Sequence, residues 1–242
     1  AGRMIPLVLL PGMMCTAELF SHQVAHFSRE RAVHCAPISE HQDMTSLAKA
    51  VLRDAPPEFA VAGLSMGGIV AMEVQRLAPE RVKGVALLDT NPFAELDSVK
   101  QTRYPQIVKV REGGLLAVMR DEMKPNYLAN TDSRDDILEL CAHMALQLGR
   151  DVFIRQSIAL RDRPDQAETI RAIRVPSLVL CGDQDRLCPP DRHRMMQKMI
   201  RGSTLAIVID AGHLPVLEQP HETNRHLQAW LRACDERLAH LR

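Results

Sequence analysis

Short apolar runs alternate along this chain with segments of helical periodicity, and that alternation limits the possible folds more than any other feature. Leu7 to Leu10, Val33 to Ala36, Phe59 to Ala62, Val85 to Leu88, Ser177 to Leu180 and Leu205 to Ile209 read as strands, most of them buried on both faces. Ala17 to Phe27, Ser46 to Leu52, Gly67 to Leu77 and Arg192 to Met199 read as intervening helices. The expected fold is therefore α/β: a doubly wound, mostly parallel sheet of about six strands with right-handed crossovers.

The alternation breaks between Asn91 and Arg174, where Gln106 to Met123, Arg134 to Leu148 and Val152 to Arg161 look helical and no strand is evident. This predicts a core made of residues 1–91 and 174–242, with residues 92–173 inserted as a helical cap. An insertion at the carboxyl end of a strand lies where parallel sheets bind ligands. Most of its apolar stripe, including Leu115, Met119, Ile137 and Met144, is expected to pack the insertion's own core.

Thirty basic residues balance thirty acidic ones, which argues against nucleic acid or an anionic membrane as partner and leaves a small molecule. With no charged start leading into a long apolar segment, the expectation is a soluble cytoplasmic protein. The cysteines are scattered without close pairing, so free thiols are expected, with Cys15 as a small packing residue.

Gly63-Leu64-Ser65-Met66-Gly67 falls between the third strand and the helix that follows it. A serine on so sharp a turn is held in strained backbone with its hydroxyl exposed, and the flanking glycines allow close approach. Ser65 is thus a candidate nucleophile. A phosphate-binding loop would place a lysine after the second glycine, whereas Ile69 follows Gly68.

A serine hydroxyl needs a base, and the base needs an acid to fix its tautomer. In such sheets the order along the chain is serine, acid, histidine. Asp185 follows the strand ending at Gly182, and His213 follows the next strand, so both leave the sheet at the same end as Ser65. Asp89, Asp183 and Asp210 remain rival acids, Asp89 foremost. The main-chain N–H of Met66 and that of Met13, in the Pro11-Gly12-Met13-Met14 loop, are the candidate oxyanion donors.

No metal is expected. His22 and His26 are four residues apart, but Gln23 stands where a zinc protease has its glutamate. No cofactor is expected either, because the glycine-rich dinucleotide turn is missing.

With Leu7 to Met13, Gly63 to Gly68, Pro79 to Val82, Gly182 to Asp185 and Gly212-His213 in place, the chain resembles the α/β-hydrolase superfamily over nearly its whole length. Within it the chain is similar to the small capped carboxylesterase, enol-lactone hydrolase and carbon-carbon bond hydrolase group, with Ala159 to Asp162 resembling the cap's return to the sheet. Pro11 stands where most members have histidine, and the family's first antiparallel hairpin is absent, so the sheet should be about two strands short. Serine at the elbow argues against the epoxide hydrolases and haloalkane dehalogenases, which carry aspartate there.

The reading is a serine hydrolase that cleaves a small ester or lactone through an acyl-enzyme, with a pocket lined by methionine and leucine. One alternative keeps the same three side chains for carbon-carbon hydrolysis or elimination on a carboxylate-bearing substrate, anchored by Arg155, Arg161 or Arg120. A non-catalytic ligand receptor is a more distant alternative.

Overall fold

A computed structural model describes residues 3–123 and 127–241. Six strands form one sheet: β1 (Leu7–Leu10), β2 (Val33–Cys35), β3 (Phe59–Leu64), β4 (Val82–Leu88), β5 (Ser177–Gly182) and β6 (Thr204–Val208). Their order is β2-β1-β3-β4-β5-β6, and every neighbouring pair is parallel. The chain steps outward from β1 to β2, then returns past β1 to build the rest, which winds helices onto both faces.

Leu7, Leu9, Ala60, Ala62 and Leu64 face a core that holds Phe20, Phe27 and Trp230. Their alternate neighbours Val8, Leu10, Val61, Val85 and Leu87 face a second core with Leu47, Val51, Val70 and Met72. Side chains alternate between faces along a strand, so burial of both faces makes the strands read as unbroken apolar runs. Register then aligns their ends: Leu10 lies opposite Gly63, Leu64 opposite Leu88, and Leu88 opposite Leu180. The loops after these strands consequently open at one rim.

The strands match the expected runs, with β3, β4 and β5 extending further. The single helix expected from Ala17 to Phe27 divides instead. The Thr16 hydroxyl caps a 3₁₀ turn at Ala17–Phe20, and an α-helix follows at Ser21–Phe27. The helix Met44–Asp54 begins earlier than expected because the Asp43 side chain accepts the N–H of Ser46 at 2.7 Å.

Between β4 and β5 lie the helices Asp97–Arg111, Arg134–Leu148 and Arg150–Arg161. The helix expected from Gln106 to Met123 is a correction. The helix starts at Asp97 and stops before Gly113, whose φ of 94° lies in the left-handed region. Leu115–Ala117 then runs into a π-helical turn at Val118–Met123. Val110, Leu115, Val118 and Phe153 form a third apolar cluster, which Met14 joins from the loop after β1.

Among the described residues no helix is long and apolar enough to cross a membrane. Among the described residues the cysteines form no disulfide.

Candidate active site

The turn after β3 is built by exclusion of side chains. A Cβ at Gly63 would sit 2.2 Å from the Gly67 carbonyl oxygen, and one at Gly67 would sit 2.1 Å from the Leu10 carbonyl oxygen. Only glycine lets the helix Met66–Leu77 press against both β3 and the loop after β1. Ser65 takes φ 56° and ψ −116°, a costly conformation for a residue with a side chain. Its N–H donates to the Leu88 carbonyl at 2.9 Å, while Thr90 Oγ1 donates to the Ser65 carbonyl at 2.7 Å.

Three side chains from three loops meet above this turn. His213 Nε2 lies 2.9 Å from Ser65 Oγ, and His213 Nδ1 lies 2.9 Å from Asp185 Oδ2. The carboxylate fixes the tautomer: Nδ1–H donates to Asp185 and Nε2 accepts the serine hydroxyl. Asp185 Oδ1 accepts the N–H groups of Leu187 at 3.0 Å and Cys188 at 2.9 Å. Burial pushes the Asp185 carboxyl up, but the facing His213 and these donors outweigh it and hold Asp185 below its ordinary value.

The rival acids go elsewhere. Asp89 Oδ2 accepts the N–H of Gly182 at 3.1 Å, and Oδ1 is buried without a proton donor. Burial first, then the negative charge of Asp185, raise Asp89 well above its ordinary value. Both influences favour the protonated carboxyl at Asp89 over the carboxylate. Asp183 accepts the Ala211 N–H at 3.3 Å, and Asp210 is exposed.

Met13 and Met66 border the same cavity as Ser65. Met66 opens its helix, so its N–H has no intrahelical acceptor. The Met13 loop is held from the opposite side. Met14, at φ 57°, donates its N–H to Gln156 Oε1 at 2.8 Å, and Gln156 Nε2 donates to the Ile38 carbonyl at 2.9 Å. Cys15 is buried, its thiol donating to the Met13 carbonyl at 3.5 Å.

The cavity encloses about 590 Å³. Met13, Met66, Met123, Leu96, Leu160 and Leu187 supply much of its wall, with Tyr127 edge-on to His213 at 5.1 Å between ring centroids. None of the three expected anchoring arginines borders it. Arg155 donates to the Ser39 carbonyl, Arg161 pairs with Asp162 at the surface, and Arg120 is exposed. Arg103 and Arg163 line the cavity instead. Sequence reading missed Arg163 and Gln156 because their partners lie 68 or more positions away, and it missed Arg103 and Glu218 because charged side chains at short spacing read as ordinary surface pairs. Thr90 was within reach of the rule that found Asp185, since it too follows a strand at this rim.

His26 bonds to Gln228 at the exposed surface. Among the described residues, Asp185, Cys188 and His213 are the one group whose ligand atoms lie within 4.8 Å of one another. They fit a metal poorly. Both His213 nitrogens are engaged, and burial raises the Cys188 thiol so that it keeps its proton.

A six-stranded parallel sheet with serine, histidine and carboxylate joined at its carboxyl rim defines an α/β hydrolase. The sequence pattern of the α/β hydrolase family matches residues 7–226, and the chain belongs to that family. Its likenesses include esterases and a lactonase. A pimeloyl-[acyl-carrier protein] methyl ester esterase of Neisseria meningitidis is 24% identical over 190 residues, which is 75% of this chain and 73% of that protein. A malate-bound thermophilic esterase from Thermogutta terrifontis superposes with a TM-score of 0.88 at 25% identity, over 97% of this chain and 92% of that one. The enol-lactonase of Burkholderia xenovorans LB400 shares the fold, with a TM-score of 0.84 at 21% identity over 96% and 92% of the two chains.

Proposed function

We propose that the protein is a serine hydrolase of small esters or lactones that works through an acyl-enzyme. The observation that carries this reading is the unbroken path from Ser65 Oγ through His213 to Asp185, with both contacts at 2.9 Å. His213 Nε2 takes the hydroxyl proton as Ser65 Oγ bonds to the substrate carbonyl carbon. The N–H groups of Met13 and Met66 hold the oxygen that becomes negative. The intermediate collapses, the carbon–oxygen bond to the leaving group breaks, and His213 returns its proton to the departing alkoxide. Water, deprotonated by the same imidazole, then releases the acid and restores Ser65.

Asp185 remains ionised throughout and stabilises the imidazolium. Residues 92–173 act as a cap that closes the cavity over Ser65. Relatives named as esterases support this chemistry.

Replacement of Ser65 by alanine should lower turnover of 4-nitrophenyl acetate and butyrate at least about 10³-fold. A fluorophosphonate should add to Ser65, as read by intact mass and peptide mapping. Undiminished turnover in the alanine variant overturns the reading.

A further inference from the structure

Glu95, Arg103 and Arg163 form a charge cluster on the wall of the Ser65 cavity that the acyl-transfer steps leave unused. Their side chains are 2%, 13% and 8% exposed, respectively. Arg103 grips Glu95 with Nη2 on Oε1 at 2.6 Å and Nε on Oε2 at 3.1 Å. Arg163 Nη1 donates to the same Oε1 at 3.1 Å, and its Nε donates to the Phe93 carbonyl at 2.9 Å.

Two guanidinium ions against one carboxylate leave a positive charge uncompensated. So little exposed, that charge is costly until an anion meets it. Among the described residues no second carboxylate pairs with either arginine. Donors are also left over. Arg103 Nη1 has the Met13 thioether, a weak acceptor, 4.0 Å away, and Arg163 Nη2 has no acceptor among the described residues. The Glu95 charge is outweighed by the two guanidinium ions that grip both its oxygens, so the cluster as a whole still attracts an anion. Arg186 and Arg192 add positive charge at the same cavity, where Glu122 is already paired with Lys109.

We propose that Arg103 and Arg163 bind a carboxylate carried by the substrate, so that the preferred substrates are half-esters of short dicarboxylic acids or lactones bearing a free carboxylate. This rests on the hydrolase reading above. Ile69, Leu96, Val99 and Leu160 give the same cavity apolar wall for the methylene spacer between the carboxylate and the ester.

Monomethyl adipate and methyl hexanoate, followed by NMR, test the site with a matched charged and neutral ester. A charge-assisted contact predicts a kcat/KM about 10- to 100-fold higher for the half-ester. Arg103→Gln or Arg163→Gln should cut that preference at least about tenfold, and Glu95→Gln should raise it. Equal rates in the wild type, or a preference indifferent to all three substitutions, overturn the proposal.

Calorimetric titration of the wild type with adipate and adipamide depends neither on turnover nor on the folding of variants. Binding of adipate alone supports the site, and equal or absent binding of both overturns it. Binding of adipate without turnover of either ester would refute the hydrolase reading and leave the carboxylate site standing.

Discussion

Glu218 Oε2 accepts the N–H of Gly212, the residue before His213, at 2.9 Å. The same oxygen accepts the N–H of Leu214 at 3.0 Å, and Oε1 accepts that of Ala129 at 2.7 Å. One buried carboxylate thus holds both neighbours of His213 and ties them to the segment between β4 and β5. The His213 N–H itself donates to the Tyr127 carbonyl at 2.6 Å.

Replacing Glu218 with alanine strands three buried N–H groups, each costing about 1–3 kcal/mol. The expected loss of stability is about 3 kcal/mol or more, read by denaturant unfolding. In the folded fraction kcat should fall about 100-fold with little change in KM, because substrate contacts remain while the imidazole loses its aim. A folded variant with wild-type kcat would remove Glu218 from any positioning role.

The strands and the turn at Ser65 were legible because each is written in contiguous residues: apolar runs of a few residues, and glycines within two positions of the serine. His213 and Asp185 were legible through topology, since parallel strands deliver their following loops to one rim. The helix Asp97–Arg111 was half hidden. Its first turns are charged and contain Pro105, and only Ile107 and Val110 are buried. Tertiary contacts therefore hold a helix whose sequence carries little amphipathic signal. In the Glu95, Arg103 and Arg163 cluster the third member was hidden, for Arg163 meets Glu95 across 68 positions although Arg103 stands only eight from Glu95. Spacing in the chain cannot report a pairing set by how two segments fold back on each other.

The two carboxyl groups behind the imidazole are pushed in opposite directions, Asp89 up by burial and Asp185, against its own burial, down by the facing His213, and substitution separates their roles. Asparagine at position 89 keeps an acceptor for the Gly182 N–H, and the His213 ring meets Asp185 rather than position 89. Asp89→Asn should therefore leave kcat/KM for 4-nitrophenyl acetate within about tenfold of wild type. Asp185→Asn should lower it about 10⁴-fold, because the imidazole loses its charged partner and its required tautomer. Equal damage from the two substitutions would make Asp89 the orienting acid.

His193 links acid stability to the same turn. Its Nε2 accepts the Thr90 N–H at 3.1 Å and its Nδ1 lies 3.0 Å from the Pro189 carbonyl, so the buried ring is neutral with its proton on Nδ1. Burial lowers its pKa from an ordinary 6.5 to about 4. Between those values an unfolded chain binds a proton that the folded one refuses. The stabilisation is therefore full above pH 6.5 and drains away as pH falls through about 4. Its size is on the order of 3 kcal/mol. Unfolding free energy measured across this range should decline with acid, and His193→Gln, which keeps an acceptor for Thr90 but does not titrate, should flatten the decline. An identical slope in the variant would show that other groups carry the acid sensitivity.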